Sequence, residues 1–547
     1  MDGIGTLRFR ASDPRAAANI PEQWPLVRAA AVGPVKETTE TSTYFDTPTM
    51  TLWRHGLLVL LRRRNDHSWR QIIQPRRSWL HEPLFPAWMT SRLSCDSGVL
   101  NLELLQRELE YLFKKAPSIV VGDLQPVVHI TCSKRRWLLE FPDSRRIELL
   151  EEKGHITTPL RQDHHKDDCQ DVCCDQLFHE IVIKTTRGEL DAWMFQRALT
   201  LAQAWEPAFV SASPLERAFW SYGVIPDPRS PAPDLALSAD TPLEATFVRL
   251  CQFLWQQLVD AHALINDGDA VSGRLGLQEL LKAVTQLRML SAAYASLITD
   301  DARDQIDAEL EWLSDALVPA DQWQNFLEQG WQPFAALEPP QSAELLRLQQ
   351  RVLLRNEDYF NQVRSLLNSF RFTRLLLGLG YWLHGRLWRY RLDHRQRKQL
   401  QVHMAPSVTV VMDRHYHRLL QMHERISGID WATGRAIREK GEMLHALVDL
   451  FVVALRRHVT GNTFSHHLGQ FCQLLRKIDY LHRFCSQFGQ ISPDTENQIN
   501  TRFYEWVQTQ TRRTATDAEQ KWADLIRCQP FWSKSKGDTE RGQSRDG

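Results

Sequence analysis

The sequence predicts an α+β protein in which an antiparallel β region is followed by an all-α region. The first observation is alternation near the start, where the apolar Leu7 and Phe9 are separated by polar residues, which is the period of a half-buried strand. The second is a change of period in the second half, where apolar residues recur at i, i+3 and i+4, as in residues 243–254. Strand-forming and helix-forming sequence therefore lie in separate parts of the chain.

A proline-rich linker separates the two parts. Residues 226–242 hold five prolines among aspartates and serines, a composition typical of linkers. One helix, over residues 190–205, is predicted to interrupt the strands of the first part. The predicted domains are residues 1–225, the linker 226–242, a helical domain over 243–532 and a polar, disordered tail over 533–547.

Composition excludes several classes of function. The 66 basic and 66 acidic residues give a formal net charge of zero, so any surface that binds a polyanion must be local. Nine cysteines without a regular spacing indicate a reducing compartment. Arg8 interrupts any apolar signal segment, and the apolar run 447–455 is short and contains Asp449. The sequence predicts a cytoplasmic protein with no membrane partner.

A short motif in the first part resembles a known family. The sequence YFDTP at 44–48 is followed by GLLVLLR at 56–62. This pair is similar to the second and third strands of the CYTH fold, the triphosphate tunnel family, where a Tyr-Tyr-Asp-Thr-Pro turn precedes a strand ending in Arg-x-Arg. The resemblance implies an eight-stranded antiparallel β-barrel whose inward basic residues bind linear triphosphate. It also implies that inward carboxylates hold Mg²⁺ or Mn²⁺ for hydrolysis.

The second part resembles a CHAD domain, a helical bundle that binds polyphosphate through histidines and arginines. The resemblance is carried by the segments 276–288, 309–317, 369–377 and 435–449. CYTH followed by CHAD is the arrangement of bacterial inorganic triphosphatases, which this chain resembles as a divergent member. Inorganic triphosphate or polyphosphate is therefore the expected partner.

Matching to the CYTH pattern, together with strand alternation, assigns the candidate site residues. The predicted phosphate-binding residues are Arg8, Arg62, Lys134, Arg136 and Lys184. The predicted metal ligands are Glu148, Glu152 and Glu180. Glu148 and Glu152 lie four residues apart, so in a strand they share one face.

Several positions depart from the family pattern. First-strand carboxylates are replaced by Ile4 and Thr6, and a late carboxylate by Val182. Basic residues are replaced at Leu60, Gln74 and the Ser213–Pro214 motif. Such a tunnel is expected to bind anions better than it hydrolyses them.

The predicted function is an inorganic triphosphatase-like protein with weakened or lost metal-dependent hydrolysis. The alternative is a non-catalytic polyphosphate-binding or scaffold protein.

The helical part has similar losses and a basic run. Gln278 and Arg435 stand where the CHAD pattern has histidines, while Arg288 and Arg438 are kept. Residues 384–398 are rich in arginine and histidine and would suit polyphosphate or nucleic acid, but a solvated helix face is favoured, so nucleic acid is not expected.

A His/Cys/Asp-rich stretch over 164–179 has the side chains of a zinc site. Its spacing fits no standard finger. A polar hairpin loop is therefore the favoured interpretation.

Overall fold

The computed structural model describes most residues of the two predicted parts. The described residues are 5–11, 21, 24–65, 68–75, 91–95, 98–112, 121–158, 174–185, 190–222, 235, 237–339, 343–422, 431–452, 460–492 and 498–532. Ile4, residues 164–173 of the His/Cys/Asp-rich stretch, residues 226–234 of the linker and the tail 533–547 lie outside them.

The described strands form one antiparallel sheet of nine strands. They are β1 Thr6–Ala11, β2 Lys36–Asp46, β3 Leu57–Arg64, β4 Trp69–Pro75, β5 Ser91–Cys95, β6 Gln125–Glu140, β7 Arg146–Thr158, β8 Cys174–Thr185 and β9 Pro207–Val210. Their order in the sheet is β5-β4-β3-β2-β6-β7-β8-β1-β9. The predicted antiparallel β region is therefore confirmed.

The implied closed barrel of eight strands is wrong for the described residues. A ninth strand, β9, pairs with β1 on the side away from β8, with Phe9 opposite Phe209. To close a barrel, β5 would have to pair with the edge of β1 that β9 occupies. The described sheet is therefore open.

Helices interrupt the sheet region and then make up most of the described residues that follow it, as predicted. Those described in the first part are α1 Pro25–Ala30, α2 Thr51–Arg54, α3 Leu102–Leu112, α4 Ala192–Ala202 and α5 Pro214–Trp220. Those that follow are α6 Leu243–Asp267, α7 Ala270–Ala293, α8 Asp301–Asn325, α9 Gln332–Ala335, α10 Ala343–Leu367, α11 Phe370–Gly385, α12 His394–Leu400, α13 Met404–Leu420, α14 Trp431–Val452, α15 Thr460–Ile491 and α16 Gln498–Arg527. Within the described helices, none is long and apolar enough to cross a membrane.

The YFDTP motif shapes the turn between β2 and β3. The buried carboxylate of Asp46 accepts backbone hydrogen bonds from Thr47, Leu52 and Trp53 at 2.7–2.8 Å, which satisfies the first amides of α2. Gly56 then adopts a φ of +72°, which a residue with a side chain rarely tolerates, and β3 begins at the next residue. The motif therefore fixes where β3 starts.

The chain divides into two compact units. The first is Met1–Ser230 with Trp255–Leu280 and Arg364–Arg386, and the second is Pro231–Leu254 with Leu281–Val363 and Leu387–Gly547. In the first unit, the Trp255 indole N–H donates to the Leu376 carbonyl at 2.9 Å, and the Phe209 amide donates to the Thr373 hydroxyl at 2.8 Å. The predicted domain boundaries, which follow sequence order, stay a prediction.

The second unit has an aromatic core. Phe326 packs edge to face against Phe484 and Phe503, with ring centroids 5.5 and 6.1 Å apart. Phe503 in turn stacks on Phe488 at 4.1 Å. These rings come from α15, α16 and the π-helical turn Phe326–Trp331, so the core joins helices that lie far apart in sequence.

Candidate functional site

One face of the sheet carries a row of charged residues on neighbouring strands. Lys134 of β6 lies opposite Glu152 of β7, and Glu152 lies opposite Glu180 of β8. Directly opposed residues of antiparallel strands point to the same face. Alternation therefore brings these three side chains together.

Arg8 of β1 completes this row. Its Nη1 atom lies 2.8 Å from Glu152 Oε2 and 2.8 Å from Glu180 Oε2. The exposed fractions of the three side chains are 15%, 5% and 3%. Burial alone would raise the pKa of Glu152, but the charges of Arg8, Lys134 and Lys184 outweigh it and lower that pKa to about 2. Glu152 is therefore held as a carboxylate.

Two more cations hold the remaining oxygens of these carboxylates. Arg217 of α5 donates to Glu180 Oε1 at 2.6 Å and to the Ala212 carbonyl at 3.2 Å. Lys134 Nζ lies 3.5 Å from Glu152 Oε1. Each of the four carboxylate oxygens of Glu152 and Glu180 thus has a cation of the protein as its partner.

The charged row continues onto β2 and β3. Lys134 Nζ lies 3.2 Å from Glu40 Oε2, and Arg64 Nε lies 3.0 Å from Glu40 Oε1. Arg62 Nε donates to the Ser42 hydroxyl at 3.2 Å. Burial opposes ionisation of Glu40, but Lys134, Arg62 and Arg64 outweigh it and lower its pKa. We call the following residues the charged cluster: Arg8, Glu40, Arg62, Arg64, Lys134, Glu152, Glu180, Lys184 and Arg217.

Arg136 and Glu148 lie apart from the centre of the cluster. They pair with each other at 3.2 Å and are more exposed than Glu152. Glu148 stands four residues before Glu152 on β7, which is about 13 Å along a strand. Among the described residues, no three His, Cys, Asp or Glu side chains come close enough to hold a metal ion. Of the three predicted ligands, Glu152 and Glu180 are therefore neighbours, while Glu148 lies apart from them.

The same face becomes apolar beyond the charged cluster. Leu60, which stands where the family pattern has an arginine, is fully buried and lies opposite Tyr44 on β2 and Ile72 on β4. Phe219 of α5 stacks on Trp53 with ring centroids 3.9 Å apart. These residues belong to one packed apolar cluster that draws on several strands and α5. Leu60, which replaces the arginine of the family pattern, is thus part of a packed apolar core.

Sequence reasoning missed Glu40, Arg64 and Arg217. Glu40 and Arg64 have a readable signal, because each lies two residues from Ser42 or Arg62 on its strand and so shares a face with that residue. Arg217 has none, because a helix supplies it. Its helix starts with a Ser213–Glu216 capping box.

The other predicted clusters have structural partners. His179, the end of the His/Cys/Asp-rich stretch, lies 3.0 Å from Glu151, and register places Glu151 on the face opposite Glu152. In the basic run, Trp388 is buried and Arg389 donates to both oxygens of Glu244 at 2.6 Å. The charged residues of α12 in the same run are exposed, as a solvated helix face would be.

The arginines kept from the CHAD pattern are also paired. Arg288 lies 2.9 Å from Glu311, and Arg438 lies 3.0 Å from Glu442. Arg435, which replaces a histidine, lies 3.2 Å from Glu439. Each therefore has a carboxylate partner within the helical region.

Acid should remove the stability that Glu152 contributes. Its folded pKa of about 2 is below the ordinary value of 4.5, so the contribution is present above about pH 4.5 and is lost as the pH falls toward 2. The shift corresponds to about 3 kcal/mol. We expect the difference in unfolding free energy between wild type and Glu152→Gln to shrink by about 2 kcal/mol between about pH 6 and pH 3, with the remainder lost nearer pH 2. Urea unfolding followed by tryptophan fluorescence measures it.

Glu37→Gln is the control for that experiment, because Glu37 is an exposed carboxylate on the same sheet, paired with Arg135 at 3.0 Å. A wild-type to Glu152→Gln difference that stays constant with pH would show that Arg8 and Lys134 do not hold Glu152 ionised.

Comparison with known proteins finds a family match within the helical part. Residues 257–449 match the family model of the CHAD domain, which confirms that part of the resemblance over these residues. The crystal structure of the CHAD domain from the plant Ricinus communis is similar to 54% of this chain and 95% of that chain, with 19% identity and a TM-score of 0.45. No curated protein matches the chain.

Two other solved structures are similar to smaller shares of the chain. One is described as a putative adenylyl cyclase, HpAC1 from Hippeastrum, with a dominant triphosphatase activity; it has 12% identity, a TM-score of 0.25 and coverage of 40% of this chain and 95% of that one. The other is a putative adenylate cyclase from Bacillus halodurans, with 14% identity, a TM-score of 0.24 and coverage of 39% and 96%.

Proposed function

We propose that the chain binds inorganic triphosphate, or a similar short polyphosphate, at the charged cluster. The observation that carries the proposal is an excess of positive charge on a partly buried surface. The cluster holds six cationic side chains and only three carboxylates, and the Arg136–Glu148 pair at its edge adds no net charge. A linear triphosphate carries several negative charges, so it would neutralise this excess.

The cations of the cluster divide into two groups. Arg8 and Arg217, with 15% and 12% of their side chains exposed, are held by Glu152 and Glu180. The second group is Arg62, Arg64, Lys134 and Lys184, of which Lys134 and Arg64 are more exposed, at 28% and 44%. We assign the phosphate oxygens to this second group, with Arg136 at the edge of the site, because charged side chains near the surface can turn toward a ligand at lower cost than enclosed ones.

Hydrolysis is proposed to be weak or absent. Metal-dependent turnover would require Glu148, Glu152 and Glu180 to hold Mg²⁺ or Mn²⁺ together. As arranged they do not fit that role, because Arg8 bridges two of them and Arg136 holds the third. The residues at the other expected carboxylate positions within the described strands are Thr6 and Val182. Ile4 lies outside the described residues.

Arg62 gives a sharp test of the binding site. Arg62→Gln is expected to weaken triphosphate binding about tenfold or more, since a hydrogen bond to a charged group contributes about 1.5–3 kcal/mol. Isothermal titration calorimetry of the full chain with sodium triphosphate measures the change.

The matched control for that titration is Arg63→Gln. Arg63 is the next residue on β3, is exposed and points to the other face, where it lies over the Trp69 ring. The Arg63→Gln substitution removes the same charge and should leave the affinity for triphosphate within about twofold of the wild-type value. Equal losses in both variants would mean that only long-range charge matters, and the assigned site would be wrong.

A non-catalytic scaffold is the second candidate. It is favoured by the internal pairing of the cluster, because ion pairs between Arg8, Glu152 and Glu180 can serve folding alone. Wild-type protein that takes up no triphosphate in the same titration would support the scaffold over the binding proposal.

A further inference from the structure

The centre of the charged cluster is a pair of carboxylates bridged by an arginine. Arg8 Nη1 lies 2.8 Å from one oxygen of Glu152 and 2.8 Å from one oxygen of Glu180. Lys134 and Arg217 contact the other two oxygens, at 3.5 and 2.6 Å. Both carboxylate side chains are at least nine-tenths buried.

A divalent cation would compete with Arg8 for this position. Mg²⁺ and Mn²⁺ bind carboxylate oxygens at about 2.0–2.2 Å, and two neighbouring carboxylates are the usual kind of ligand pair. Here the position within reach of both is taken by the Arg8 guanidinium. A metal ion would have to displace that guanidinium and would also meet the charges of Lys134 and Arg217.

Arg8 is held firmly in this place. Its strand is paired on both sides, with Arg8 opposite Val182 of β8 and Val210 of β9. The flanking residues Leu7 and Phe9 are buried on the other face. Burial lowers the pKa of Arg8, but the attraction of Glu152 and Glu180 outweighs it, so the net effect raises that pKa and the side chain stays charged. The strand therefore cannot shift to withdraw the guanidinium without losing packing on two sides.

We infer that Arg8 takes the place of a divalent metal at this site, so that the charged cluster binds triphosphate as the metal-free anion. This inference rests on the proposed function for its ligand. The Arg8 guanidinium offsets the charges of Glu152 and Glu180, as a metal ion would, and the other cations of the cluster are left to bind the phosphate oxygens.

Electron paramagnetic resonance of Mn²⁺ tests the position of Arg8 without any phosphate present. The full-length wild type is expected to leave added Mn²⁺ free in solution. Arg8→Gln removes the charge and shortens the side chain, so Glu152 and Glu180 become available to bind a metal ion. We expect this variant to bind Mn²⁺ at least about tenfold more tightly than wild type. Tight Mn²⁺ binding by wild type, or no gain in a folded Arg8→Gln variant, would overturn the inference.

Arg135→Gln is the matched control for Mn²⁺ binding. It removes a guanidinium 3.3 Å from Glu151, a buried carboxylate on the other face, where Lys153 still holds Glu151 at 2.7 Å. No gain of Mn²⁺ binding is expected, and a gain equal to that of Arg8→Gln would show a general effect of lost positive charge.

A second measurement uses wild type alone and so does not depend on the folding of a variant. Calorimetry with sodium triphosphate is run once with EDTA and once with Mg²⁺. Binding with EDTA at least as tight as with Mg²⁺ is expected, and binding that requires Mg²⁺ would overturn the inference. Wild type that binds triphosphate under neither condition would refute the proposed function, while the Mn²⁺ experiment would still decide whether Arg8 occupies the metal position.

Discussion

Leu60→Arg is expected to destabilise the first unit by about 4 kcal/mol or more, or to prevent its folding. Leu60 is fully buried among apolar residues, opposite Tyr44 and Ile72. An arginine there would place an unpaired charge in an apolar core, which belongs to the most damaging class of substitution. The expected fall in Tm is about 10 °C or more, measured by thermal unfolding with near-UV circular dichroism.

Leu60→Met is the control for this substitution. It keeps the volume and the apolar character, so it should cost less than about 1.5 kcal/mol. A folded Leu60→Arg protein with an unchanged Tm would contradict the apolar packing of this half of the sheet face. It would show instead that the arginine reaches the charged cluster, as the family pattern has it.

Gly154→Ala is the second substitution with a large expected effect. A Cβ atom at this position of β7 would overlap the Thr131 carbonyl oxygen and lie 2.8 Å from the Phe178 ring. The carbonyl belongs to the backbone of β6, so the clash can be relieved only if β6 and β7 separate locally. We expect a loss of about 3 kcal/mol or more, since overpacking commonly costs about 1–3 kcal/mol even where side chains can move. Urea unfolding of the full chain measures this loss.

Gly122→Ala controls for the entropy of removing a glycine, because no atom lies within 4 Å of the Cβ it would add. It should change the stability by less than about 1 kcal/mol. Equal stability of the two alanine variants would contradict the close approach of β6 and β7 at Gly154.

Side-chain alternation and the match to the CYTH pattern together made most of the charged face predictable. They assign Arg8, Lys134, Glu152 and Glu180 to one face, and the register of the strands places these residues side by side. Sequence could not show that Arg8 bridges the two carboxylates. That contact joins residues 172 positions apart, and a single sequence does not state which strands are neighbours.

The predicted fold fails at one strand for a related reason. β9 has only four residues, Pro207–Val210, and all are buried, so it has no alternation to read. Its place beside β1 follows from tertiary contacts, such as the hydrogen bond from the Phe209 amide to the Thr373 hydroxyl. The start of the helical region was predictable, because α6 begins at Leu243, directly after the proline of the Asp-Thr-Pro sequence.

Calorimetric titration of the full-length wild type with sodium triphosphate in EDTA is the most direct test of the central claim, that the charged cluster binds triphosphate without a metal. We predict saturable binding that weakens as salt is added, because charge drives it, and that falls about tenfold in Arg62→Gln but not in Arg63→Gln. Absence of binding in EDTA, with binding restored by Mg²⁺, would contradict the claim. Glu152 and Glu180 would then again be the candidate metal ligands.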